Sequence, residues 1–307
     1  MKKSMFWFII FVINIIYCYC ISMKKALLIG INYENDENQK LAGCINDAVT
    51  MKNMLIDAYG YTQTGVTVLR DDVHDENVLP TTVNIMNEFN KLVDESRYLS
   101  EIWIHYSGHG SYVEDKNKDE SDGYDEVILP IDYKKNGAIS DDILRSYLNR
   151  MKCVVYITMD CCHSGTIMDL PYKFPIINNR VYRNKANMVQ MTNKNVYMLA
   201  GSRDNQVAND YYNYESNTAM GLFSMSLMEV LRNRNHNVSF FQLYLDINKY
   251  MKQFNMPQTA VMSSSNHYPL QIKLQRVGIE QNVAYVNPTL SNQTRYKYKK
   301  RGKFLFT

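Results

Sequence analysis

Glu101-Ile-Trp-Ile-His-Tyr-Ser-Gly-His-Gly110 is a short apolar run that breaks at glycine. A second stretch, Cys153-Val-Val-Tyr-Ile-Thr-Met-Asp-Cys-Cys-His-Ser-Gly165, has the same form. Bulky, β-rich runs of this kind are typical of buried parallel strands. Functional groups in open α/β sheets gather at the carboxyl ends of such strands. The two stretches therefore predict neighbouring strands with a site where they end.

The rest of the chain predicts an α/β fold with a mostly parallel central sheet flanked by helices on both faces. From Ala26 onward, strand-like and helix-like segments alternate. An Asn-rich stretch between Asp169 and Asn195 has no periodicity, and Val196-Tyr-Met-Leu199 then predicts another strand. Apolar residues recur at helical spacing in five stripes. These stripes are Ala48, Met51, Leu55 and Ala58; Ile85, Phe89 and Leu92; Leu144, Tyr147, Leu148 and Met151; Phe223, Leu227, Val230 and Leu231; and Phe240, Leu243, Ile247 and Met251.

His109 and Cys162 are the candidate catalytic pair, 53 positions apart. Adjacent strand ends could bring an imidazole base to a thiol nucleophile. His105 lies inside its strand, so we expect it to be packed in the sheet, whereas His109 lies in the loop beyond. The backbone N–H groups of Gly110 and Cys162 are then the candidate oxyanion donors.

Cys161 and His163 are the two neighbours of Cys162 that carry similar chemistry. If extended geometry continues through the motif, Cys161 and His163 face away from Cys162. By the same alternation, Asp160 shares the side of Cys162. Four potential zinc ligands lie here, at Cys161, Cys162, His163 and His109, but no C-x-x-C or H-x-x-x-H spacing occurs, which argues against zinc.

These motifs resemble those of the metacaspases, caspase-like cysteine peptidases of peptidase family C14 in clan CD. The likeness spans about Lys24 to Leu274 and includes Gly43-Cys-Ile-Asn-Asp-Ala48 and the segment from Gln258 to Ser264. It implies a caspase-haemoglobinase fold with a p20-like catalytic region, a p10-like region and a Cys162–His109 dyad. It also implies cleavage of proteins or peptides by a monomer.

Substrate preference follows from acids beside the proposed nucleophile. A cleft that selects basic side chains needs carboxylates, and Asp47 and Asp160 are the candidates. The resemblance implies that these two acids, with Cys44 and Ser107, line the S1 pocket and that cleavage follows Arg or Lys. Nothing in the motifs supplies the basic pocket that a preference for Asp requires.

An acid-rich stretch from Glu114 to Asp142 suits calcium, which prefers hard oxygen ligands. Part of it imitates an EF-hand loop, but Glu120 stands where the loop requires glycine. The resemblance implies calcium binding through Asp125, Asp141, Asp142 and Asp169. A solvated acidic loop followed by a helix with Ser140 as its cap explains the same residues without a metal.

Composition excludes several alternatives. A net charge of +3 does not argue for nucleic acid, because much of the basic excess lies in Arg295-Tyr-Lys-Tyr-Lys-Lys-Arg301. We expect that tail to be a disordered end. The six cysteines form no disulfide framework and favour a reduced, cytoplasmic setting.

The N-terminal sequence allows two interpretations. Lys2-Lys3 precedes an apolar stretch from Met5 to Tyr17, so residues 1–22 fit a signal peptide or a short anchor, which would bring residues 5–22 to a membrane. Met23 directly precedes the first predicted strand, and translation from it would give an intact cytoplasmic domain.

The predicted organisation is 23–170 as the p20-like region, 171–195 as a linker, 196–275 as the p10-like region and 276–307 as a tail. A Pro/Gln-rich prodomain is missing from the pattern, as is a long insert before the p10-like region. Four basic residues of the linker are candidate self-processing sites: Lys173, Arg180, Arg183 and Lys185. We expect a calcium-dependent cysteine endopeptidase. The alternative is an inactive caspase-fold protein that binds basic partners.

Overall fold

The computed structural model describes residues 23–115, 123–178, 180–185, 190–203, 206, 208–213, 218–277 and 297–300. The predicted signal or anchor segment, residues 1–22, lies outside the described residues, as does most of the tail. Among the described residues, no helix has the length and apolar character needed to cross a membrane.

The strands are short and mostly follow the apolar runs of the sequence. They are β1 (Lys24–Gly30), β2 (Val66–Arg70), β3 (Glu101–Ser107), β4 (Gly110–Glu114), β5 (Tyr124–Ile128), β6 (Ile139–Ser140), β7 (Val154–Asp160), β8 (Tyr172–Lys173), β9 (Ile176–Ile177), β10 (Arg180–Val181), β11 (Asn184–Lys185), β12 (Val196–Ala200), β13 (Asn209–Asn213), β14 (Thr218–Gly221), β15 (Val238–Ser239), β16 (Val261–Ser264), β17 (Lys273–Leu274) and β18 (Lys297–Lys300).

The central sheet has the order β11-β8-β16-β12-β7-β3-β1-β2. Strands β2, β1, β3, β7 and β12 are mutually parallel, and β16, β8 and β11 continue the sheet antiparallel. The register pairs Ser107 with Asp160, so the predicted neighbours β3 and β7 end together. The carboxyl ends of the two motif-bearing strands therefore meet at one edge of the sheet.

Helices cover both faces of this sheet. They are α1 (Cys44–Tyr59), α2 (Thr82–Glu95), α3 (Tyr133–Asn136), α4 (Asp141–Arg150), α5 (Leu222–Asn233) and α6 (Phe240–Met251). The apolar stripes of α2 and α4 pack in one core, and those of α1, α5 and α6 pack in the other. Alternate side chains of each strand enter opposite cores, as in Leu27 and Leu28 of β1. The predicted α/β fold is confirmed.

The helix ends are fixed by identifiable caps. The Thr81 side chain accepts a hydrogen bond from the Asn84 N–H at the start of α2, and Ser239 does the same for Gln242 in α6. Helix α1 starts at Gly43 without a local side-chain cap. The side chain of Asn32, just after β1, accepts the Cys44 N–H instead, at 3.0 Å. This contact ties the start of α1 to the carboxyl end of the sheet.

Three segments differ from the sequence prediction. The stretch after His109 is not a simple loop, since β4, β5 and β6 form a separate antiparallel sheet. The predicted linker contains β8, which pairs with β16 and so belongs to the central sheet. The tail, expected to be a disordered end, pairs β18 with β13. In each segment, a strand forms because it pairs with another strand, and local composition does not predict such a partner.

Candidate active site

His109 lies in the two-residue connection between β3 and β4 and is only 1 % exposed. Tyr33 accepts the His109 backbone N–H at 3.0 Å, and Tyr106 donates to the His109 carbonyl at 2.7 Å. The rings of Tyr33 and His109 pack with centroids 4.5 Å apart. Burial raises the pKa of both tyrosines, so both phenols remain protonated. The histidine is thus held by neutral groups.

The His109 ring is oriented by a main-chain carbonyl. Its Nε2 lies 2.7 Å from the oxygen of Gln39. A carbonyl oxygen only accepts hydrogen bonds, so Nε2 carries the proton and Nδ1 is the nitrogen able to act as a base. Sequence reasoning missed Gln39, because a contact through the backbone leaves no residue-type signal. Tyr33 could have been found, since it follows the strand β1 at the same edge of the sheet.

Cys162 lies two residues beyond β7 and is fully buried. Its Sγ accepts the backbone N–H of Ala208 at 3.3 Å. Gly110, the residue after His109, packs directly on it: a methyl group added to Gly110 would lie 2.1 Å from the Cys162 carbonyl oxygen. Glycine is therefore required for this approach. The structure brings His109, Gly110 and Cys162 to one place, while their catalytic and oxyanion roles stay predictions.

The neighbours of Cys162 are arranged differently from the sequence argument. Extended geometry ends at Asp160, and His163 has a left-handed φ of 53°, so strand alternation does not apply there. A methyl group on Gly110 would lie 3.3 Å from the Cys161 sulfur, and the His163 ring packs on Tyr112 with centroids 5.3 Å apart. His105 is bonded within the sheet, with Nδ1 3.0 Å from Thr158 Oγ1, as predicted.

The predicted S1 residues Asp47, Ser107 and Asp160 are all fully buried beside the strand ends. Ser107 donates to Asp47 at 2.6 Å, and Ser107 is the register partner of Asp160. Cys44 lies one helical turn before Asp47 on α1 and is also buried. Sequence and structure thus agree on which residues share this region; their role in substrate binding stays a prediction.

The N-terminus of α5 holds both carboxylates. The Gly221 N–H donates to Asp47 at 2.9 Å, and the Ser224 N–H donates to Asp160 at 2.9 Å. The positive end of a helix favours negative charge, so the backbone N–H groups at the start of α5 stabilise negative charge at both buried carboxyl groups. Gly221 and Ser224 belong to the predicted p10-like region. The two predicted regions therefore meet at this group of acids.

The predicted calcium ligands lie around β5 and α4. Asp141 begins α4 and accepts the N–H groups of Glu126 and Asp142 at 2.9 and 2.8 Å. Ser140 occupies the N-cap position, but its side chain makes no cap hydrogen bond. Burial raises the pKa of Asp141 to about 7, and the charge of Asp169 adds to that rise. Two of the four acids thus interact electrostatically.

Asp169 also has a cationic partner. Arg145 of α4 forms an ion pair with it, at 2.9 Å. Asp125 lies in β5, opposite Val113 of β4. Among the described residues, no three His, Cys, Asp or Glu side chains are gathered as a cage for a metal ion. The oxygen chemistry of these acids suits calcium, and Asp169 raises the pKa of Asp141, but this conformation does not gather the four side chains, and Arg145 is paired with Asp169.

A histidine and a cysteine at adjacent strand ends, above a mostly parallel sheet with helices on both faces, define a caspase-like cysteine peptidase. The family model described as "Metacaspase, peptidase C14 domain" matches residues 24–171. Metacaspase-1 of Saccharomyces cerevisiae is 31% identical, over 84% of this chain and 70% of that protein. The chain therefore belongs to the metacaspase family and is a cysteine-type peptidase.

Two further relatives support this assignment. Metacaspase-1 of Kluyveromyces lactis is 32% identical, over 70% of this chain and 60% of that protein. Metacaspase-1 of Eremothecium gossypii is 42% identical, over 52% of this chain and 35% of that protein. The crystal structure of protein GSU0716 from Geobacter sulfurreducens has a TM-score of 0.54 and 22% identity, covering 80% of this chain and 94% of that one. That structure supports the fold.

Proposed function

We propose that this chain is an endopeptidase that cleaves proteins after Arg or Lys, with Cys162 as nucleophile and His109 as base. The observation that carries the proposal is the buried group of Asp47, Ser107 and Asp160 at the strand ends that lead into the dyad. Buried carboxylates bind a guanidinium or ammonium through charge-assisted hydrogen bonds. The same pocket repels an acidic P1 residue.

The reaction uses only groups of this chain, the peptide and water. His109 Nδ1 accepts the Cys162 proton, and the thiolate attacks the carbonyl of the scissile bond. The N–H groups of Gly110 and Cys162 stabilise the oxyanion. His109 then gives its proton to the leaving amine. A water molecule, deprotonated by His109, hydrolyses the thioester and releases the acid product with the free thiol.

A second candidate function is the binding of basic peptides without cleavage. Its supporting observation is that Cys162 is fully buried and His109 is 1 % exposed, so the substrate carbonyl needs room that this conformation does not offer. Asp47, Ser107 and Asp160 are also fully buried, so a basic side chain needs a smaller opening at the strand ends but no room for a scissile bond at the thiol. The two candidates share the pocket and differ only in turnover.

The test is cleavage of peptides that differ only in Arg, Lys or Asp at P1. We expect cleavage after Arg and Lys, none after Asp, and a loss of at least about 10⁴-fold in Cys162→Ala. Cys153→Ala is the matched control, because Cys153 lies at the opposite end of β7. Binding of the Arg peptide without turnover would establish the second candidate. Cleavage after Asp would refute the proposed pocket.

We propose calcium as the activating ion, bound by Asp125, Asp141, Asp142 and Asp169. The proposal is supported by the repulsion between Asp141 and Asp169, which a divalent cation would relieve. Arg145 must then give up its ion pair with Asp169. Calcium binding and the ion pair are thus in competition.

Isothermal titration calorimetry and thermal unfolding test the calcium proposal without any activity measurement. Arg145→Gln removes the competing cation and should tighten calcium binding by about tenfold. Arg150→Gln, on the same helix but exposed, should leave the affinity unchanged. The same affinity in both variants and in the native chain would argue against these ligands. No heat and no shift in Tm with calcium would reject the metal altogether.

Self-processing in residues 171–195 is proposed at the exposed basic residues. Lys173 is a poor site because β8 is paired on both edges, with β11 and β16. Arg183 lies exposed between β10 and β11, with its guanidinium 5.2 Å from the ring centroid of Tyr268. We expect mass spectrometry to find cleavage after Arg183 or Arg180 in the active chain and one intact species in Cys162→Ala. An intact active chain would contradict self-processing.

A further inference from the structure

Strand β13 runs between the proposed nucleophile and the group of buried acids. Ala208, the residue before this strand, donates its N–H to Cys162 Sγ at 3.3 Å. Two residues further on, Asp210 pairs with Gly221 of β14, and the Gly221 N–H donates to Asp47. A main chain lying along β13 would therefore pass beside both the thiol and the acids that we propose for P1 recognition.

The second edge of β13 is taken by the chain's own C-terminal segment. Strand β18 pairs with it antiparallel, in the register Asn209 with Lys300, Asp210 with Lys299, Tyr211 with Tyr298 and Tyr212 with Lys297. An exposed strand edge binds an added strand mainly through main-chain hydrogen bonds. In this structure the added strand is Lys297–Lys300, which lies within the most basic stretch of the sequence, Arg295-Tyr-Lys-Tyr-Lys-Lys-Arg301.

The direction of β18 is that of a substrate. A peptide that is to be cleaved must bring its chain from the N-terminal side toward the thiol, with the carbonyl of its P1 residue arriving at Cys162. Because β13 starts beside Cys162 and runs away from it, an antiparallel partner runs toward it. Lys300 lies opposite Asn209, one residue from Ala208. The segment that approaches the nucleophile is thus rich in the residue types that the proposed pocket selects.

We propose that β18 is a tethered, substrate-like competitor that occupies the β13 edge and must leave before a protein substrate can bind. This inference rests on the proposed function for the identity of the cleft. Because β18 belongs to the same chain as β13, its effective concentration is on the order of millimolar, so weak strand pairing is enough for occupancy. Asp210 of β13 is a buried acid whose register partner in β18 is Lys299, and the segment is basic in sequence.

The first test is binding in full-length chains that carry Cys162→Ala, so that no turnover occurs. The probe is a fluorescently labelled peptide of residues 295–301, followed by fluorescence polarisation. A double substitution, Tyr298→Pro with Lys299→Pro, removes strand donors whichever of the two N–H groups faces β13. We expect the probe to bind this variant at least about tenfold more tightly than the chain with the native tail. Asn292→Pro, outside β18, is the matched control and should behave as the native tail does.

A probe with glutamate in place of its lysines and arginines should bind weakly to all chains. Equal affinity of the basic probe for native and double-proline tails would overturn the inference. So would the absence of binding to both.

The second test uses the same tails with Cys162 intact and an Arg-P1 peptide as substrate. Release of a competitor should raise kcat/KM by about tenfold through a lower KM, with kcat nearly unchanged. Equal kcat/KM in the native and double-proline chains would reject the competitor while leaving the peptidase proposal standing. If the double-proline chain binds the probe but cleaves no peptide, the proposal that the chain is a peptidase would be rejected. The proposal that β18 competes for the β13 edge would still stand.

Discussion

Cys153 and Cys162 lie beyond opposite ends of strand β7. Both thiols are buried, but their neighbours differ. Cys153 precedes the strand and is 6 % exposed; Cys162 follows it and is fully buried. Burial raises the pKa of the Cys153 thiol to about 12. Cys162 instead receives the Ala208 N–H and packs against the residue that follows His109. The neighbours, and not the burial, distinguish a packing thiol from a candidate nucleophile.

The acids at the two edges of the sheet also differ in their neighbours. The amino edge is where the parallel strands begin, and the carboxyl edge is where they end. At the amino edge, Glu101 of β3 pairs with Lys24 at 3.0 Å and accepts a hydrogen bond from Tyr61. At the carboxyl edge, Asp47 and Asp160 accept backbone N–H groups of α5. A salt bridge neutralises an acid, whereas helix N–H groups stabilise an ionised carboxylate without supplying a full counter-charge. The described contacts of Asp47 and Asp160 thus include backbone donors, whereas those of Glu101 include a cation.

The largest expected difference between the edges is in thiol reactivity. With a pKa of about 12, only about one Cys153 in 10⁴ is a thiolate at pH 8. Its alkylation by iodoacetamide should rise about tenfold per pH unit up to pH 12, since only the thiolate reacts. If His109 is the base of Cys162 as proposed, Cys162 should be alkylated at least about 10³-fold faster at pH 8. Peptide mapping by tandem mass spectrometry measures both. Comparable alkylation rates of Cys153 and Cys162 at pH 8 would contradict the expected difference in reactivity between the two thiols.

A methyl group added at the carboxyl edge should affect both stability and activity, whereas one added at the amino edge should affect stability alone. At Gly110 it would meet the Cys162 carbonyl at 2.1 Å, and at Gly65 it would meet the Lys24 carbonyl at 2.8 Å. Both variants should lose stability in urea unfolding. Only Gly110→Ala should also displace the nucleophile, lowering kcat for the Arg peptide by several hundredfold in chain that remains folded. Full activity in folded Gly110→Ala would remove Gly110 from the proposed site.

Loss of charge at the carboxyl edge comes next in size. Asp47→Asn and Asp160→Asn keep the shape of the side chain and a carbonyl acceptor for the α5 N–H groups. Each should lower kcat/KM for an Arg peptide by about 100-fold, because a buried partner of the P1 cation is removed. Asp57→Asn, exposed on the same helix as Asp47, is the control. A loss of the same size with a neutral P1 residue would show that these acids support the fold and not the P1 side chain.

Local pattern was enough to predict the sheet, the five helical stripes and the place of Asp160 at the end of its strand, whereas the grouping of Asp47 and Ser107 with Asp160 came from the resemblance to the metacaspases. The predictions from local pattern depend on periodicity and on the rule that parallel strands end together. The facing of Cys161 and His163 was predicted on the condition that extended geometry continues through the motif, and this condition is not met, because the strand ends at Asp160 and the chain turns at Cys162 and His163. The Gln39 carbonyl and the α5 N–H groups could not be predicted, since backbone partners depend on tertiary packing alone.

Contacts that depend on tertiary packing also could not be predicted for the chain after His109 or for the tail. Short strands such as β6 and β8 have two residues each, too few for a periodic signal. Basic composition favoured a disordered tail, but the tail residues of β18 find a partner edge on β13, more than 80 positions earlier in the sequence. Long-range pairing of this kind is visible only in three dimensions.

The smallest expected effect belongs to the amino edge. Glu101→Gln breaks the pair with Lys24, whose side chain is 17% exposed, and weakens the hydrogen bond from Tyr61. We expect a loss of about 1 kcal/mol in the free energy of unfolding in urea. The surface pair of Glu88 with Lys91 serves as control, and Glu88→Gln should cost about 0.5 kcal/mol or less. Peptide cleavage should be unchanged in both, because neither acid approaches the dyad. A tenfold fall in kcat/KM for Glu101→Gln would mean that the two edges of the sheet are coupled and that the carboxyl edge does not set reactivity alone.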